Sequence, residues 1–371
     1  MLEEYSYYLP TRVIAGSGCV RSHAGDVKAF GRKALVVTGR SSAKKCGALD
    51  DVASMLAENG QEMILFDKVM SNPTVACVFE GARLARSGKV DFIIAIGGGS
   101  PMDAAKAIAL VATRDAVGPD TIFTTPITSS PVLPMVFIPT TAGTGSEVTQ
   151  YSILTNDEGQ TKTSLSSPVL FPRLAFLDSS YLAFVPHTTL INTAVDALSH
   201  SIEGMISVKA TPISDALAVE GIRLIAACIP ALRQGKLEKV DRERLMTAST
   251  LGGMVIAHTG TTIVHAMGYS LTYHHDIDHG RANGLLLGAF MNFTARQDDT
   301  VVGRILHTMG MEGVGDFSAL MDELLGGKEK MEDSEFESYA LKAVQTRNHG
   351  NCPVKPSVQD VVGMYRESFT C

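Results

Sequence analysis

Four of the ten histidines in this 371-residue chain fall in one short stretch, together with two aspartates. Each imidazole has two polar nitrogens, so a dense group of histidines is costly to bury without partners. A divalent metal is the usual reason for proteins to gather histidines in this way. Spacing alone does not choose ligands among the four rings, which are His265, His274, His275 and His279.

Two further metal-ligand types lie upstream on one predicted helix, residues 191–206. Asp196 and His200 are four residues apart, so a helix puts them on one face. Taken alone, this helix favours a solvated Asp–His pair. Together with the histidine-rich stretch it indicates one carboxylate and three imidazoles. That set suits a borderline divalent metal and can expand to admit a substrate oxygen.

Two glycine- and hydroxyl-rich loops follow predicted buried strands. Residues 97–100, Gly-Gly-Gly-Ser, come after the strand at 90–96 and precede a helix. Such a turn can hold phosphate, because glycines admit close backbone approach and a helix start offers unpaired N–H groups. Residues 138–147 follow the strand at 135–138 and carry three threonines. Each loop alone could be a plain turn, but the two together predict a nucleotide crevice.

The elements that carry these residues fall into two classes. Residues 1–180 alternate strands with helices and predict an α/β domain with a doubly wound, Rossmann-like parallel sheet. Within it we predict a hairpin at residues 5–20 and one helix over 43–59. Residues 181–371 have helical periodicity and predict an all-α domain.

Composition excludes several classes of protein. The net charge of −7 gives no basic footprint for nucleic acid. No apolar run is long enough to span a membrane, and the N-terminus does not resemble a signal peptide. The six scattered cysteines lack CxxC pairs and are typical of reduced thiols. We therefore expect a cytoplasmic protein.

Four motifs, in this order, resemble the iron-containing (group III) alcohol dehydrogenases, the family of the propanediol and butanol dehydrogenases. They are residues 97–106, residues 139–147, residues 196–200, and His265 with residues 279–280. The resemblance spans most of the chain and weakens after about residue 300. It implies a nucleotide-binding domain followed by a helical domain, the architecture of dehydroquinate synthase.

The resemblance also implies roles for individual residues. One divalent ion, usually Fe²⁺ with Zn²⁺ as the alternative, is expected on Asp196, His200, His265 and His279. The residues expected to meet the pyrophosphate are Gly98, Gly99 and Ser100. Those expected elsewhere in the cofactor site are Asn72, Asp103, Thr140, Thr141, Thr144 and Lys162, the last near the ribose. Many family members are homodimers or larger, and we expect the same of this chain.

The sequence departs from the family pattern at a proton relay. Many members have a histidine four residues after the first histidine of the cluster, where this chain has Tyr269. Tyrosine has an ordinary pKa of about 10, which makes it a poorer relay at neutral pH. We hypothesise that His274, His275 or a water chain takes over the relay, so that all three side chains are catalytic candidates.

A second departure concerns the cofactor. Members that prefer NAD tend to have an aspartate at the position of Gly39, where it accepts from the ribose 2′-OH and repels a 2′-phosphate. Here Gly39 leaves room, Arg40 brings positive charge, and Ser41 and Ser42 bring hydroxyls. We predict NADP(H) over NAD(H). The alternative is that Arg40 points into solvent and both cofactors work.

These features predict an NADP(H)-linked alcohol dehydrogenase that interconverts small alcohols or diols and aldehydes by hydride transfer. Three alternatives stay open. One is a zinc enzyme that resembles glycerol dehydrogenase and uses NAD. Another, which the sequence disfavours, is a lyase that resembles dehydroquinate synthase, because such a lyase needs several cations near the metal and the sequence offers only Arg281 there. The third is a catalytically weak protein that binds nucleotide or metal.

Overall fold

The structure is a computed structural model that describes residues 4–114, 116–127 and 131–369. These residues form two compact units. The first is Leu9–Val185, and the second begins at Pro186 and also takes in the start of the chain as far as Tyr8. We propose that the units are two folding domains. The predicted boundary after residue 180 falls in the 3-10 turn Ser179–Phe184, just before Pro186.

A parallel sheet organises the first unit. The strands of the unit are β1 (Arg12–Ala15), β2 (Lys33–Gly39), β3 (Glu62–Val69), β4 (Phe92–Gly97), β5 (Met135–Pro139), β6 (Tyr151–Asn156), β7 (Thr161–Ser166) and β8 (Leu174–Leu177). Six of them form the sheet in the order β1-β8-β5-β4-β2-β3, and every neighbouring pair is parallel. Strands β6 and β7 form a separate antiparallel pair.

Both faces of this sheet are covered. In β2, Leu35 and Val37 enter one hydrophobic core, while Ala34 and Val36 enter another. Alternation of this kind is what a parallel sheet between two helical layers requires. The helices are α1 (Cys19–Ser22), α2 (Ser42–Lys45), α3 (Ala48–Glu58), α4 (Val75–Gly88) and α5 (Gly99–Val111). The predicted doubly wound α/β fold is confirmed.

The direction of strand addition reverses between β2 and β4. From β2 the chain moves outward to β3, then returns to the other side of β2 for β4 and continues to β5. A reversal of this kind opens a crevice beyond the carboxyl ends of the strands, where α/β proteins bind nucleotides. The strand ends beside the crevice are Gly39 and Gly97, and Pro139 is paired with Gly97.

Some local predictions for this unit are wrong. Residues 5–20 contribute the single strand β1, parallel to β8, rather than a hairpin. Residues 43–59 are divided into α2 and α3, because Gly47 adopts a φ of 84° at which a helix ends. Strands β6, β7 and β8 were missed because two are rich in hydroxyl side chains and the third is only four residues long.

Helices build the second unit, and its described residues contain no strand, which confirms the predicted helical class. They are α6 (His187–Ile206), α7 (Pro212–Gln234), α8 (Lys239–Thr259), α9 (Ile263–His275), α10 (His279–Ala295), α11 (Asp299–Met309), α12 (Val314–Leu325), α13 (Asp333–Val344) and α14 (Val358–Phe369). Helix α9 was not predicted, because its sequence mixes histidine, glycine, serine and threonine with apolar residues and leaves no clear stripe.

Helix α6 is buried on almost every side. Glycines of neighbouring helices permit this packing. A Cβ added at Gly252 of α8 would come 3.2 Å from the carbonyl oxygen of Ala197 and 3.3 Å from Cβ of His200. A Cβ at Gly280 of α10 would overlap the carbonyl oxygen of Asn192. The alternative of a solvated Asp–His pair on α6 is therefore wrong.

Two findings bear on the predictions from composition. Among the described residues, no helix combines the length and apolar character that crossing a bilayer requires. The cysteines that the structure describes are free thiols, and Cys371 lies outside the described residues.

Candidate functional site

Asp196 lies at the centre of three histidines in the helical unit. Its Oδ1 atom is 3.8 Å from Nε2 of His265, 3.8 Å from Nε2 of His279 and 3.9 Å from Nε2 of His200. Ligand atoms of Asp196, His265 and His279 all lie within 4.8 Å of one another. The structure therefore brings together the four residues that the resemblance implies as metal ligands.

Three helices supply these side chains. Helix α6 presents Asp196 and His200 one turn apart, α9 presents His265 near its start, and α10 begins at His279. The next residue, Gly280, lies against the backbone of α6, where an added Cβ would also come 2.9 Å from Cβ of Asp196. The absence of a side chain at this position is what lets His279 reach Asp196.

The charge of Asp196 is stabilised by its surroundings. Burial raises the pKa of this carboxyl, but His200, His279, His265 and the Asn283 amide outweigh that effect, so the pKa lies below its usual value. The Nδ2 atom of Asn283 donates to Oδ1 of Asp196 at 3.0 Å and lies 3.2–3.3 Å from Nε2 of His265 and His279. The carboxylate is therefore ionised and aimed at the histidines.

The donor set fits a divalent cation. A carboxylate oxygen of Asp196 and imidazole nitrogens of His265 and His279 lie within 4.8 Å of one another, and Nε2 of His200 is 3.9 Å from the same carboxylate. Burying an ionised carboxylate among polar rings is costly without a compensating cation. The side chains of Asp196, His200 and His265 are 4–5% exposed, but that of His279 is 28% exposed. The cluster is thus buried at Asp196, His200 and His265 and partly exposed at His279, which we call its open side.

Sequence reasoning missed two residues beside this cluster. Asn283 follows His279 by one helical turn, and Glu203 follows Asp196 by two turns, so helical spacing pointed to both. Glu203 is wholly buried and contacts Nδ1 of His265. Burial raises the pKa of Glu203, but His265 and Thr262 outweigh burial and leave that pKa below its usual value.

The three candidates for proton relay occupy different surroundings. The Tyr269 ring stacks on His279, with centroids 5.8 Å apart and planes 18° apart. At the end of α9, Nε2 of His275 lies 3.0 Å from the Tyr339 hydroxyl and 3.1 Å from Glu335. The ring of His274 stacks on that of Tyr339. Tyr269 therefore packs on His279 of the Asp–His cluster, whereas His274 and His275 contact α13.

The two predicted cofactor loops meet in the first unit. They leave the adjacent strands β4 and β5, and the N–H of Thr140 donates to the carbonyl of Gly97 at 2.9 Å. A Cβ at Gly98 would come 2.9 Å from Oγ1 of Thr141. Similarly, a Cβ at Gly99 would come 2.8 Å from Cγ2 of Thr144. The glycines are thus needed for the contact between the loops.

Helix α5 begins at this junction, with Gly99 and Ser100 in its first turn. The first N–H groups of a helix have no intrahelical acceptor, and the helix dipole favours an anion there. The start of α5 is therefore oriented to receive phosphate. Gly98, Gly99 and Ser100, the residues expected at the pyrophosphate, lie together at this point.

Two charged residues of α5 tie the second loop in place. Lys106 is fully buried and donates to the Ser146 carbonyl at 2.8 Å, the Ser146 hydroxyl at 2.7 Å, the Thr149 hydroxyl at 3.1 Å and the Tyr151 carbonyl at 2.7 Å. Burial lowers the pKa of Lys106 to about 8, although nearby carboxylates oppose this shift. Asp103 accepts from the Ser146 hydroxyl at 2.7 Å.

The hairpin of β6 and β7 carries further cofactor candidates. Lys162 faces Thr155 across the hairpin. Burial raises the pKa of Asp103 above its usual value, and the positive charges of Lys106 and Lys162 only partly oppose this shift. The Thr155 hydroxyl in turn donates to the Asn72 carbonyl at 3.0 Å. Asn72 has a φ of 57°, in the left-handed region that asparagine tolerates. Thr155 thus connects Asn72 and Lys162.

The residues expected to choose between NAD and NADP lie at the end of β2. Gly39 is its last residue, Arg40 and Ser41 are exposed, and Ser42 begins α2. A Cβ at Gly39 would approach only the Val69 carbonyl at 3.4 Å and the Ser42 hydroxyl at 3.8 Å. There is space at Gly39, and a guanidinium and two hydroxyls lie next to it in the chain.

Comparisons with known proteins agree with this geometry. Residues 10–179 match the family model of the iron-containing alcohol dehydrogenases, and residues 190–369 match the model of the C-terminal part of that family. Alcohol dehydrogenase 4 of Schizosaccharomyces pombe is 30% identical over 386 residues, covering 98% of this chain and 89% of the relative. The 1,3-propanediol dehydrogenase of Klebsiella pneumoniae is 32% identical over 364 residues, covering 91% and 92%.

A solved structure is similar over the whole length. The iron-containing alcohol dehydrogenase of Thermotoga maritima is 37% identical, with a TM-score of 0.93, and the match covers 99% of this chain and 100% of the other. Family models, sequence relatives and structure lead to one assignment. This chain belongs to the iron-containing alcohol dehydrogenase family.

Proposed function

We propose that this enzyme is an NADP(H)-linked alcohol dehydrogenase that interconverts small primary alcohols or diols and aldehydes. The observation that carries the proposal is the position of Asp196, whose Oδ1 lies within 3.9 Å of the Nε2 atoms of His200, His265 and His279. These four residues would hold one divalent ion, with Fe²⁺ favoured by the family and Zn²⁺ also compatible with the donors.

When bound, the ion would supply Lewis acidity toward a hydroxyl or carbonyl oxygen, and the nicotinamide would exchange a hydride with the carbinol carbon. The protein's own part is to orient the substrate and to exclude water from it. Asp196, His200 and His265 close the cluster from within the helical unit, while the more exposed His279 marks the side from which a substrate oxygen enters.

Oxidation of an alcohol also releases a proton, and three side chains are candidates to carry it. We favour Tyr269 because its ring stacks on His279 beside the open side of the cluster. His274 and His275 remain alternatives, although their rings contact Lys342, Tyr339 and Glu335 on α13. A water chain along these groups is the fourth possibility.

The preference for NADP(H) rests on the end of β2. With glycine at position 39, no carboxylate there opposes a 2′-phosphate, and Arg40 offers a positive charge. We assign the pyrophosphate to Gly98, Gly99 and Ser100. We assign the rest of the cofactor to the other residues expected from the sequence: Gly39, Arg40, Ser41, Ser42, Asn72, Asp103, Thr140, Thr141, Thr144 and Lys162.

The relatives support the proposed substrate class. A 1,3-propanediol dehydrogenase aligns with most of this chain, which supports a short diol or alcohol as substrate. We also propose a cytoplasmic homodimer or larger homo-oligomer, as for many members of the family. A lyase that resembles dehydroquinate synthase is disfavoured, because Arg281 is engaged by Glu329 at 2.6 Å and by the carbonyls of Leu325 and Gly327.

The proposed activity can be tested by following NADPH consumption with butanal after reconstitution with Fe²⁺ under argon. We expect turnover with NADPH, weaker turnover with NADH, and loss of both in His265→Ala. An inactive wild-type enzyme that still binds iron and NADPH would contradict the proposal and favour a weakly catalytic binding protein. A preference for NADH of about tenfold or more would overturn the cofactor assignment alone.

A further inference from the structure

Glu203 is buried on the side of His265 that faces away from Asp196. Its side chain has no exposed surface, and its Oε1 contacts Nδ1 of His265. The opposite nitrogen of the same ring, Nε2, is the atom that lies 3.8 Å from Asp196. The His265 ring therefore connects a buried carboxylate to the metal cluster.

Three donors hold the Glu203 carboxylate in place. Its Oε2 accepts from the backbone N–H of Thr262 at 2.6 Å and from the Thr262 hydroxyl at 2.6 Å. Thr262 is the residue before α9, so the negative charge lies at the N-terminus of that helix, where the dipole stabilises it. Oε1 accepts from His265. Each oxygen of this buried carboxylate thus has a donor.

This arrangement determines the tautomer of His265. An ionised carboxylate only accepts hydrogen bonds, so the contact with Glu203 requires a proton on Nδ1 of His265. In the neutral ring the lone pair is then on Nε2, which faces Asp196. A carboxylate behind an imidazole also makes the ring a stronger base toward a metal.

We propose that Glu203 is a positioning residue that orients His265 and raises its affinity for the metal. The proposal rests on the proposed metal site. Glu203 acts through His265 and is fixed by Thr262. Its removal should weaken metal binding without removing a ligand.

The substitution Glu203→Gln tests this role because it keeps the shape but supplies only one acceptor oxygen. If the amide N–H₂ faces His265, the ring must take the tautomer with its proton on Nε2, which blocks coordination. If the amide N–H₂ faces Thr262 instead, it meets the backbone N–H of Thr262, which is also a donor. We expect the dissociation constant for Zn²⁺, measured on metal-free full-length protein by competition with a chelator, to rise 10- to 100-fold.

A matched control separates positioning from general stability. Asp241 is also a largely buried acid of the helical unit, where it accepts from the N–H of Glu238 at 3.0 Å at the start of α8. Asp241→Asn should lower the melting temperature and leave the Zn²⁺ dissociation constant unchanged. Glu203→Gln should lower the melting temperature and also raise the Zn²⁺ dissociation constant. The absorption bands of bound Co²⁺ should shift in Glu203→Gln and stay in place in Asp241→Asn.

A second pair of variants covers the case in which Glu203→Gln does not fold. Thr262→Ala removes one of the three donors to Glu203 and should weaken Zn²⁺ binding several-fold. Thr262→Ser keeps the hydroxyl and should bind Zn²⁺ as tightly as the wild type. Equal Zn²⁺ affinity in wild type and Glu203→Gln would overturn the role of Glu203 and leave the metal site intact. Where Glu203→Gln does not fold, equal Zn²⁺ affinity in wild type and Thr262→Ala would do the same. Failure of the wild type to bind Zn²⁺, Co²⁺ or Fe²⁺ would overturn the metal site itself, and the role of Glu203 with it.

Discussion

Asp196 and His279 lie on different helices, and Oδ1 of the first is 3.8 Å from Nε2 of the second. The contact exists because Gly280 lets α10 lie against the backbone of α6. The geometry of the Asp–His cluster therefore depends on the packing of α10 against α6. A change that separates the helices should damage both.

Gly280→Ala should show this coupling. The added Cβ would overlap the Asn192 carbonyl oxygen, and a backbone atom cannot move aside cheaply. We expect the free energy of unfolding to fall by about 2 kcal/mol or more and metal affinity to fall as well. Urea unfolding and metal competition measure the two effects.

Gly303→Ala is the matched control for that substitution. Gly303 lies inside α11, and an added Cβ there meets nothing within 4 Å. Alanine in this position should stabilise the protein by about 0.5–1 kcal/mol and leave metal binding unchanged. A Gly280→Ala variant as stable as the wild type, with unchanged metal affinity, would show that the close helix contact is not required.

The cofactor assignment predicts a switch at Gly39. The backbone there is outside the left-handed region, and the space around it admits a side chain. Gly39→Asp should introduce a carboxylate that repels a 2′-phosphate and accepts from a 2′-OH. We expect the ratio of kcat/KM for NADPH to that for NADH to fall by about tenfold or more. An unchanged ratio would mean that the end of β2 does not contact the ribose.

Lys106 should give the stability of the protein a particular pH dependence. The native pKa of about 8 lies below the value of about 10.4 in an unfolded chain. Between these values the unfolded chain binds the extra proton, so the contribution of Lys106 to stability increases as pH rises and is lost as pH falls toward 8.

Unfolding of wild type and Lys106→Met at several pH values measures that contribution, because other groups that titrate cancel in the difference. We expect the stability of the wild type relative to the variant to increase by on the order of 2 kcal/mol between pH 8 and pH 10. A difference that is constant, or that falls as pH rises, would show that Lys106 stays protonated in the native protein.

The relay can be assigned from pH–rate profiles of alcohol oxidation. We expect Tyr269→Phe to lower kcat by about 100-fold at neutral pH, the lower end of what a positioned acid–base group contributes. His275→Ala and His274→Ala should leave the profile unchanged. Burial, with Lys342 and His275 nearby, holds the pKa of His274 below its usual value, so a relay through His274 would appear as an inflection on the acid side of 6.5 that disappears in His274→Ala.

The sequence predicted the fold because its strongest signals are local. Buried strands such as β2 and β4 are continuous apolar runs, and the periodicity of α6 is clear. Strand β8 has four residues and depends on its neighbours β1 and β5, so it carries little signal of its own. Helix α9 was missed because polar residues that serve the site interrupt its apolar face.

Prediction of the site was limited because it depends on contacts between residues far apart in the sequence. Ligand types and spacing pointed to Asp196 and His200, but the choice of His265 and His279 over His274 and His275 came from the family resemblance. The reason for the choice is visible only in three dimensions, where α9 directs His275 toward Glu335 and Tyr339. The contact of Glu203 with His265 likewise depends on the packing of α6 against the start of α9.

The most direct test is a titration of metal-free protein with Fe²⁺ under argon, in which bound iron and NADPH oxidation with butanal are measured in the same samples. We predict that bound iron and NADPH oxidation rise together, saturate at about one iron per chain, and are lost together in Asp196→Asn. Activity in the metal-free protein, or full iron binding and turnover in Asp196→Asn, would contradict a catalytic metal at this cluster.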